Sequence, residues 1–321
     1  MQLKTFGTLF SGVGGSDLGL SKSGLMPLYA TDWNKKALQI HRANQNTDYC
    51  QYIHADINDL NFKLLPSVDV LWASPTCCNF SMAKHDRTEE SEDVKFSSCI
   101  VEAARTSQVV IIENVVGYAN SNSYALLANM LSCVGYRDVQ RHILNASDYG
   151  NPAHRTRFYA IFSRAPLPVL DFTKYLKQTN WFDAILDNRH LWEQKDLTTV
   201  QKRTIDKSVL TEPYAIERCG YYGTPKIIPD TAKFPCIKSH TGHDGKNPKE
   251  GEGKIGSYRL AWNFVHGGES YAITPAMLGV LNGFPEDWDW LDNKGQAVAG
   301  SGNCVIPRMS EIISMEIQNA N

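Results

Sequence analysis

Near its start the chain reads Thr5-Phe6-Gly7-Thr8-Leu9-Phe10-Ser11-Gly12-Val13-Gly14-Gly15, an apolar run that leads directly into a glycine-rich turn. The run 5–10 predicts a strand, and the residues after the turn predict the first turn of a helix. Glycines at such a place let the backbone approach a ligand closely, and the N–H groups of a helix start can bind an anion or a carboxylate. About half of such glycine turns are only tight turns, so the interpretation depends on the rest of the chain.

The same rhythm of short apolar runs and helical patterns continues through the first half of the sequence. Further strands are predicted at Met26–Thr31, Val68–Ala73, Val109–Ile112 and Arg157–Phe162, with helices at Ala37–Asn44 and Ser97–Arg105. This alternation predicts an α/β fold with a doubly wound, mostly parallel sheet.

The rhythm is lost from about Leu167 to Tyr271, where prolines and a Gly/Lys-rich stretch take over. Such a stretch predicts a second, smaller and irregular domain with exposed loops. We therefore expect domains at 1–166 and 167–271, and a return segment at 272–321. Its last helical pattern, Pro307–Gln318, is expected to pack on the first domain.

Composition excludes several classes of protein. The 321 residues include 42% apolar and 21% charged residues, which is ordinary for a globular protein and argues against long disorder. A formal charge of −2 is no global basic signature, although local basic clusters leave room for a nucleic-acid surface. No leader-like start and no long apolar run is visible, so we expect a cytoplasmic protein without a membrane partner. The eight cysteines lack Cys-x-x-Cys spacing, so no metal is expected.

Two acidic residues follow strand patterns in the first half of the chain. Asp32 ends the second pattern, where a carboxylate can accept both hydroxyls of a ribose, and Asp56 ends the third, where it can accept from an adenine amino group. Trp33 can pack on the adenine face. Each residue alone could equally be a strand-end cap or a core side chain, but together they imply a cofactor that contains a nucleoside.

A thiol and a carboxylate follow two other predicted strands. Cys77 lies in Ser74-Pro75-Thr76-Cys77-Cys78-Asn79-Phe80-Ser81, directly after the run 68–73, and Glu113 ends the run that begins at Val109. A lone cysteine is more often a buried, inert side chain. A nucleophile with an acid partner, however, indicates covalent catalysis on an electron-poor ring.

Taken in order, these motifs resemble those of the cytosine-carbon-5 DNA methyltransferases, which use S-adenosylmethionine. Further matching stretches are Leu144–Pro152 with the following arginines, Ile273–Pro275, Leu281–Pro285 and Gly302–Val305. The resemblance covers both ends of the chain and leaves only about 167–271 without a match. In this family that part is the variable target-recognition domain, and the fold is a Rossmann-like methyltransferase fold.

The resemblance implies a role for each matching residue. Cys77 is the nucleophile that attacks carbon 6 of cytosine, Glu113 acts on ring nitrogen 3, Arg157 holds the oxygen at position 2, and Arg155 braces the loop or binds nearby. The residues expected to bind the cofactor are Phe10, Ser11, Gly12, Gly14, Gly15, Asp32, Trp33, Asp56, Ile57, Pro75, Asn303 and Cys304. The polar segment Met82–Val94 is expected to close over a flipped-out base.

The chain also departs from the family pattern. The usual Pro-Cys-Gln-x-Phe-Ser is here Thr76-Cys77-Cys78-Asn79-Phe80-Ser81, and the usual Gln-x-Arg-x-Arg has become Ala153-His154-Arg155-Thr156-Arg157. The catalytic groups are retained, but neighbouring groups that position them have changed.

The expected activity is DNA cytosine-5 methylation by a monomer acting on double-stranded DNA, in the cytoplasm of a bacterial or phage-infected cell. Three alternatives stay open. The chain could methylate transfer RNA with the same pocket, it could be an inactive DNA-binding relative, or it could use another transferred group or a modified cytosine.

Overall fold

The computed structural model describes residues 3–45, 47–76, 91–206, 210–218, 225–237 and 262–320. These residues form two compact units by their contacts. The first comprises Met1–Tyr149, Thr156–Leu176 and Cys304–Asn321, and the second comprises Gly150–Arg155 and Lys177–Asn303. The functional division predicted from the sequence, at 1–166, 167–271 and 272–321, stays a prediction. The contacts group residues 272–303 with the second unit, and the chain returns to the first unit from Cys304.

The first unit is built on a sheet that has seven strands within the described residues. They are β1 (Thr5–Leu9), β2 (Met26–Asp32), β3 (Gln51–His54), β4 (Val70–Ala73), β5 (Val109–Asn114), β6 (Asp138–Asn145) and β7 (Thr156–Ser163). The helices that accompany them are α1 (Gly15–Lys22), α2 (Lys35–Gln45), α3 (Ser91–Ala103) and α4 (Asn122–Cys133).

The strand order is β3-β2-β1-β4-β5-β7-β6. The five strands from β3 to β5 are parallel, whereas β7 is antiparallel to both β5 and β6. The central strands are covered on both faces, which is why every residue of β4 and β5 is buried and why their sequences are nearly all apolar. The prediction of a doubly wound, mostly parallel sheet is confirmed.

A buried polar contact holds the turn after β1. The carboxylate of Asp17, in the first turn of α1, accepts hydrogen bonds from Thr8 Oγ1 (2.9 Å) and Ser16 Oγ (3.0 Å). Its Oδ1 also lies 3.6 Å from Nε2 of His41 on α2. Asp17 and His41 are each only 1% exposed. The contact therefore ties β1, α1 and α2 together beneath the glycine turn.

The C-terminal helix packs on the first unit. Helix α9 (Pro307–Asn319) lies against α1, and Ser310 Oγ is 3.5 Å from the carbonyl oxygen of Gly15. The approach is close at Gly19, where an added Cβ would lie 2.0 Å from the Pro307 carbonyl oxygen. Only glycine fits this crossing without moving backbone.

The second unit is more regular than its sequence indicates. Its described strands are β8 (Glu193–Gln194), β9 (Tyr214–Glu217), β10 (Ile227–Pro229), β11 (Trp262–His266) and β12 (Glu269–Ala272), and its helices are α5 (Trp181–Leu186), α6 (Thr199–Ile205), α7 (Pro275–Leu281) and α8 (Lys294–Asn303). The strands form an antiparallel sheet in the order β10-β9-β11-β12-β8. Trp181, Phe234 and Phe264 are buried in its core.

Over the described ranges, no helix combines the length and the apolar character needed to cross a bilayer.

We expect Gly19→Ala to lower the free energy of unfolding by about 1–3 kcal/mol, because the new methyl group would overlap the backbone of α9. Urea unfolding would measure the loss. Ser21→Ala, at an exposed position of the same helix, is the control and should stay within about 0.5 kcal/mol of the parent. Unchanged stability of Gly19→Ala would contradict the close crossing.

The second prediction concerns pH. Burial lowers the pKa of His41 below its ordinary value of 6.5, and the nearby Asp17 carboxylate only opposes that shift. The folded state therefore binds the proton less readily than the unfolded chain, so stability is lost as the pH falls through about 6.5.

We expect His41→Gln to lose less thermal stability than the parent between about pH 7.5 and 5.5, because the glutamine cannot be protonated. Melting temperatures at a series of pH values would show this difference. The exposed His190→Gln serves as control and should follow the parent. Identical pH profiles for the parent and His41→Gln would disprove the role of the buried histidine.

Candidate active site

The carboxyl ends of β1, β2, β3 and β4 meet at one edge of the parallel sheet. The ladder continues beyond the strands there: the Ser11 N–H donates to the Thr31 carbonyl oxygen (2.9 Å), and the Ala55 N–H donates to the Asp32 carbonyl oxygen (3.3 Å). Loops that follow parallel strands are thereby brought together, and this edge is where open α/β sheets bind ligands.

A cavity of about 250 Å³ lies at this edge. Its wall includes five of the predicted cofactor residues, namely Phe10, Asp32, Trp33, Asp56 and Ile57. It also includes five residues for which the sequence predicted no part in cofactor binding: Thr31, Ala55, Asn58, Thr76 and Phe96. Phe96 lies on α3, far in sequence from the other lining residues, and no sequence motif marks it. Its ring meets the Phe10 ring edge-on, with ring centroids 5.4 Å apart.

Asp32 links β2 to the glycine turn. Its Oδ2 accepts from the Gly12 N–H (2.7 Å), and its Oδ1 accepts from the Asn34 N–H (2.7 Å). Burial raises the pKa of Asp32, while these two hydrogen bonds oppose the shift. A carboxylate has about four acceptor sites, so this one can still accept two hydroxyl groups.

Asp56 and Trp33 also line the cavity. Asp56 caps a short 3-10 turn at Ile57–Asp59, and its Oδ1 accepts from the backbone and the side chain of Asn58 (both 2.9 Å). Trp33 is 67% exposed. Its backbone carbonyl oxygen lies 2.9 Å from His54 Nε2. An exposed indole with an anchored backbone provides a flat surface for stacking.

The glycine turn fits the amino-acid end of a cofactor such as S-adenosylmethionine. Ser11 Oγ is buried and has no hydrogen-bond partner among the described residues, which leaves it available to a ligand. Gly12 has φ +55°, and a Cβ at this position would meet no atom within 4 Å, so there is open space above the turn. Gly14 (φ +89°) packs on His41 below, where a Cβ would lie 2.4 Å from the ring.

The other predicted cofactor residues lie at different places in the fold. Gly15 begins α1, and Pro75 follows β4 and accepts a hydrogen bond at its carbonyl oxygen from Asn114 Nδ2 (3.0 Å). Asn303 ends α8, and Cys304 is buried directly after it. Their contact with the cofactor stays a prediction.

The structure brings Glu113 and Arg157 together. Arg157 Nε lies 3.2 Å from Glu113 Oε1, and the two side chains are 15% and 9% exposed. The contact exists because β7 runs antiparallel to β5, so that the start of β7 lies beside the end of β5. Asn114 holds the turn beyond β5, since its Oδ1 accepts from the Val115 N–H (2.8 Å).

Arg155 lies in the second unit and is 3% exposed. Its Nη1 donates to the carbonyl oxygens of Gly302 (3.0 Å) and Ile237 (3.3 Å). These contacts hold the Arg155 guanidinium against two backbone carbonyl groups, and its role in the reaction stays a prediction.

Cys77 and Cys78 lie outside the described residues, as do residues 82–90 of the predicted closing segment. The described range 47–76 ends one residue before Cys77. Within it, the Pro75 carbonyl oxygen is held by the hydrogen bond from Asn114. Among the described residues, no group of three or more His, Cys, Asp or Glu is arranged as a metal site.

Comparisons with known proteins identify the family and the fold of this chain. A sequence model of the family described as C-5 cytosine-specific DNA methylase matches residues 5–319. The chain is 31% identical to the Type II methyltransferase M.HhaI of Haemophilus parahaemolyticus, over 96% of this chain and 92% of that protein. It is also 32% identical to the Type II methyltransferase M.Bsp6I of a Bacillus species. That match covers 48% of this chain and 50% of that relative.

Among solved structures, the S. pombe Dnmt2 methyltransferase superposes with a TM-score of 0.66 at 17% identity, covering 100% of both chains. This likeness supports the fold alone. The match to the family model extends over almost the whole chain. The chain therefore belongs to the C-5 cytosine-specific DNA methylases, enzymes that use S-adenosylmethionine as the methyl donor.

Proposed function

We propose that this enzyme is a DNA (cytosine-5-)-methyltransferase that acts on double-stranded DNA. The observation that carries the proposal is the Glu113–Arg157 contact at the carboxyl edge of the sheet, in a chain 31% identical to a Type II methyltransferase along nearly its whole length. We further propose that it works as a monomer in the cytoplasm of a bacterial or phage-infected cell, as the modification partner of a restriction system.

Cys77 is the proposed nucleophile. Carbon 5 of cytosine is a poor nucleophile, so its electron density must first be raised. Attack by the Cys77 thiolate forms a bond from sulfur to carbon 6 and moves the electron pair of the 5,6 double bond toward carbon 5. After carbon 5 has accepted the methyl group, its proton leaves to water or another base, and the returning electron pair expels the thiolate.

Glu113 and Arg157 act on the opposite edge of the base in this proposal. In its protonated form, Glu113 donates a hydrogen bond, or the proton itself, to ring nitrogen 3, which draws electrons from the ring and makes carbon 6 easier to attack. Arg157 donates to the oxygen at position 2, where negative charge develops. Their mutual contact keeps both groups in place before the base arrives.

The cofactor site serves the same reaction. When bound, S-adenosylmethionine would supply an electrophilic methyl group, and the electron pair of its broken sulfur–methyl bond would stay on sulfur, giving S-adenosylhomocysteine. Asp32 would hold the ribose hydroxyls, Asp56 would accept from the adenine amino group, and Trp33 would cover the adenine face. The buried Ser11 hydroxyl and the turn at Gly12 would bind the amino-acid end.

A base stacked in duplex DNA cannot reach such a pocket, so the target must be flipped out at a cost of a few kcal/mol. Reading of the DNA sequence would fall to the second unit, through side chains placed in the major groove.

The substrate is tested by incubating the enzyme with methyl-labelled S-adenosylmethionine and either duplex DNA or transfer RNA. We expect label in the DNA and none above background in the RNA. Label in the transfer RNA alone would replace this proposal with the RNA alternative. Binding of DNA without any label would identify an inactive relative.

The nucleophile is tested by two neighbouring substitutions. Cys77→Ser should reduce methyl transfer to background, because a serine hydroxyl is hardly ionised at neutral pH, while binding of S-adenosylmethionine is retained. Cys78→Ser is the matched control and should keep much of the activity.

Trapping on DNA that contains 5-fluorocytosine gives an independent readout, because fluorine cannot leave as the proton does and the adduct persists. We expect the adduct on Cys77 by peptide mapping. An adduct on Cys78 would shift the catalytic assignment by one residue, and full activity of Cys77→Ser would remove that thiol from the mechanism.

A further inference from the structure

Asn58 belongs to the wall of the cavity and has no role in the reaction as described so far. We propose that its side-chain amide is a positioning group that orients the Asp56 carboxylate and thereby sets the selectivity of the enzyme for adenine in its cofactor. The inference rests on the proposed function, in which Asp56 accepts from the adenine amino group.

The two hydrogen bonds that Asn58 makes go to one oxygen of the carboxylate. The Asn58 backbone N–H and Nδ2 both donate to Asp56 Oδ1, each at 2.9 Å. An ionised carboxylate oxygen accepts about two such bonds, so Oδ1 is saturated. Among the described residues nothing donates to Oδ2, which leaves that oxygen for a ligand donor in the cavity that Asp56 lines.

The direction of the Asn58 amide is itself determined. Cys99 Sγ on α3 lies 3.9 Å from Asn58 Oδ1, within reach of a weak S–H···O hydrogen bond. Burial, helped by the nearby Asp56 charge, raises the pKa of Cys99, so this group keeps its proton at neutral pH. The reversed amide would turn its oxygen toward the Asp56 carboxylate, which is repulsive, and would lose both contacts.

A fixed acceptor oxygen distinguishes purines by the group at position 6. Adenine presents an amino donor there. Hypoxanthine and guanine present a carbonyl oxygen, whose partial negative charge would be repelled by the Oδ2 oxygen of the carboxylate. Asp56 itself is exposed. A bound base with a carbonyl oxygen at position 6 would cover Oδ2 without donating to it, so the carboxylate would lose contact with water and gain no hydrogen bond. Without the amide, the carboxylate retains only the backbone N–H of residue 58 and can rotate away from this geometry.

The test compares the dissociation constants of S-adenosylhomocysteine and S-inosylhomocysteine, which carries a carbonyl oxygen at position 6, by calorimetry on the full chain. We expect the parent to prefer the adenosine compound strongly. In Asn58→Ala the ratio of the two dissociation constants should fall about fivefold, because one hydrogen bond to a charged group near the surface is lost. The change should come mainly from weaker binding of the adenosine compound.

Two more variants keep the test decisive. Asn58→Asp has nearly the same shape but no amide donor, so it should also lose preference. Asp59→Asn changes an exposed neighbour in the same 3-10 turn and should keep the parent's preference. Melting temperatures would confirm that all the variants are folded.

The possible failures are distinguishable. If Asn58→Ala weakens both compounds equally, the amide only caps the turn and the inference is wrong. If the parent binds neither compound, the cofactor site proposed above is wrong and the inference is lost with it.

Discussion

The hydrogen bond from the Gly12 N–H to Asp32 Oδ2, at 2.7 Å, is the contact on which the cofactor side of this enzyme depends. It joins the turn after β1 to the end of β2, and therefore joins the groups proposed to hold the amino-acid end of the cofactor to the group proposed to hold its ribose. Asp32 is 9% exposed, and the N–H groups of Gly12 and Asn34 replace part of the hydration of its carboxylate. Because these donors are backbone N–H groups, the turn is held in the shape that the ligand requires before it binds.

A second layer supports that turn from below. Gly14 packs on His41, and Asp17 is held by Thr8, Ser16 and His41. Buried polar groups are costly unless they are paired, and here the pairing links three elements of the first unit. The close crossing of α1 and α9 at Gly19 adds a steric constraint on the same helix. The glycine turn is thus fixed by its neighbours on several sides.

The catalytic side depends on a reversal of strand direction. β5 ends at the carboxyl edge of the parallel sheet with Glu113 and Asn114, and a further parallel strand would begin at the opposite edge. Because β7 is antiparallel to β5, Arg157 at its start comes to lie beside Glu113. Asn114 adds a bond to Pro75, so the end of β5 also orders the chain that leads from β4 toward Cys77. The proposed acid, the proposed arginine and the chain that leads to the proposed nucleophile are therefore organised around one strand end.

The α/β alternation, the glycine turn and the types of the proposed site residues could be predicted from the sequence, because these depend on local periodicity and on chemistry that few residue types can supply. It did not reveal β6 or the antiparallel sheet of the second unit, since polar residues interrupt β6 and the strands β8 to β12 are too short to show a clear period. Nor did it single out Asn58 or Phe96, whose places in the cavity wall come from a turn and from a distant helix. The sequence also did not show which side chains meet, as Glu113 and Arg157 do. Such contacts depend on strand order and direction, and these are set by packing between segments far apart in the chain.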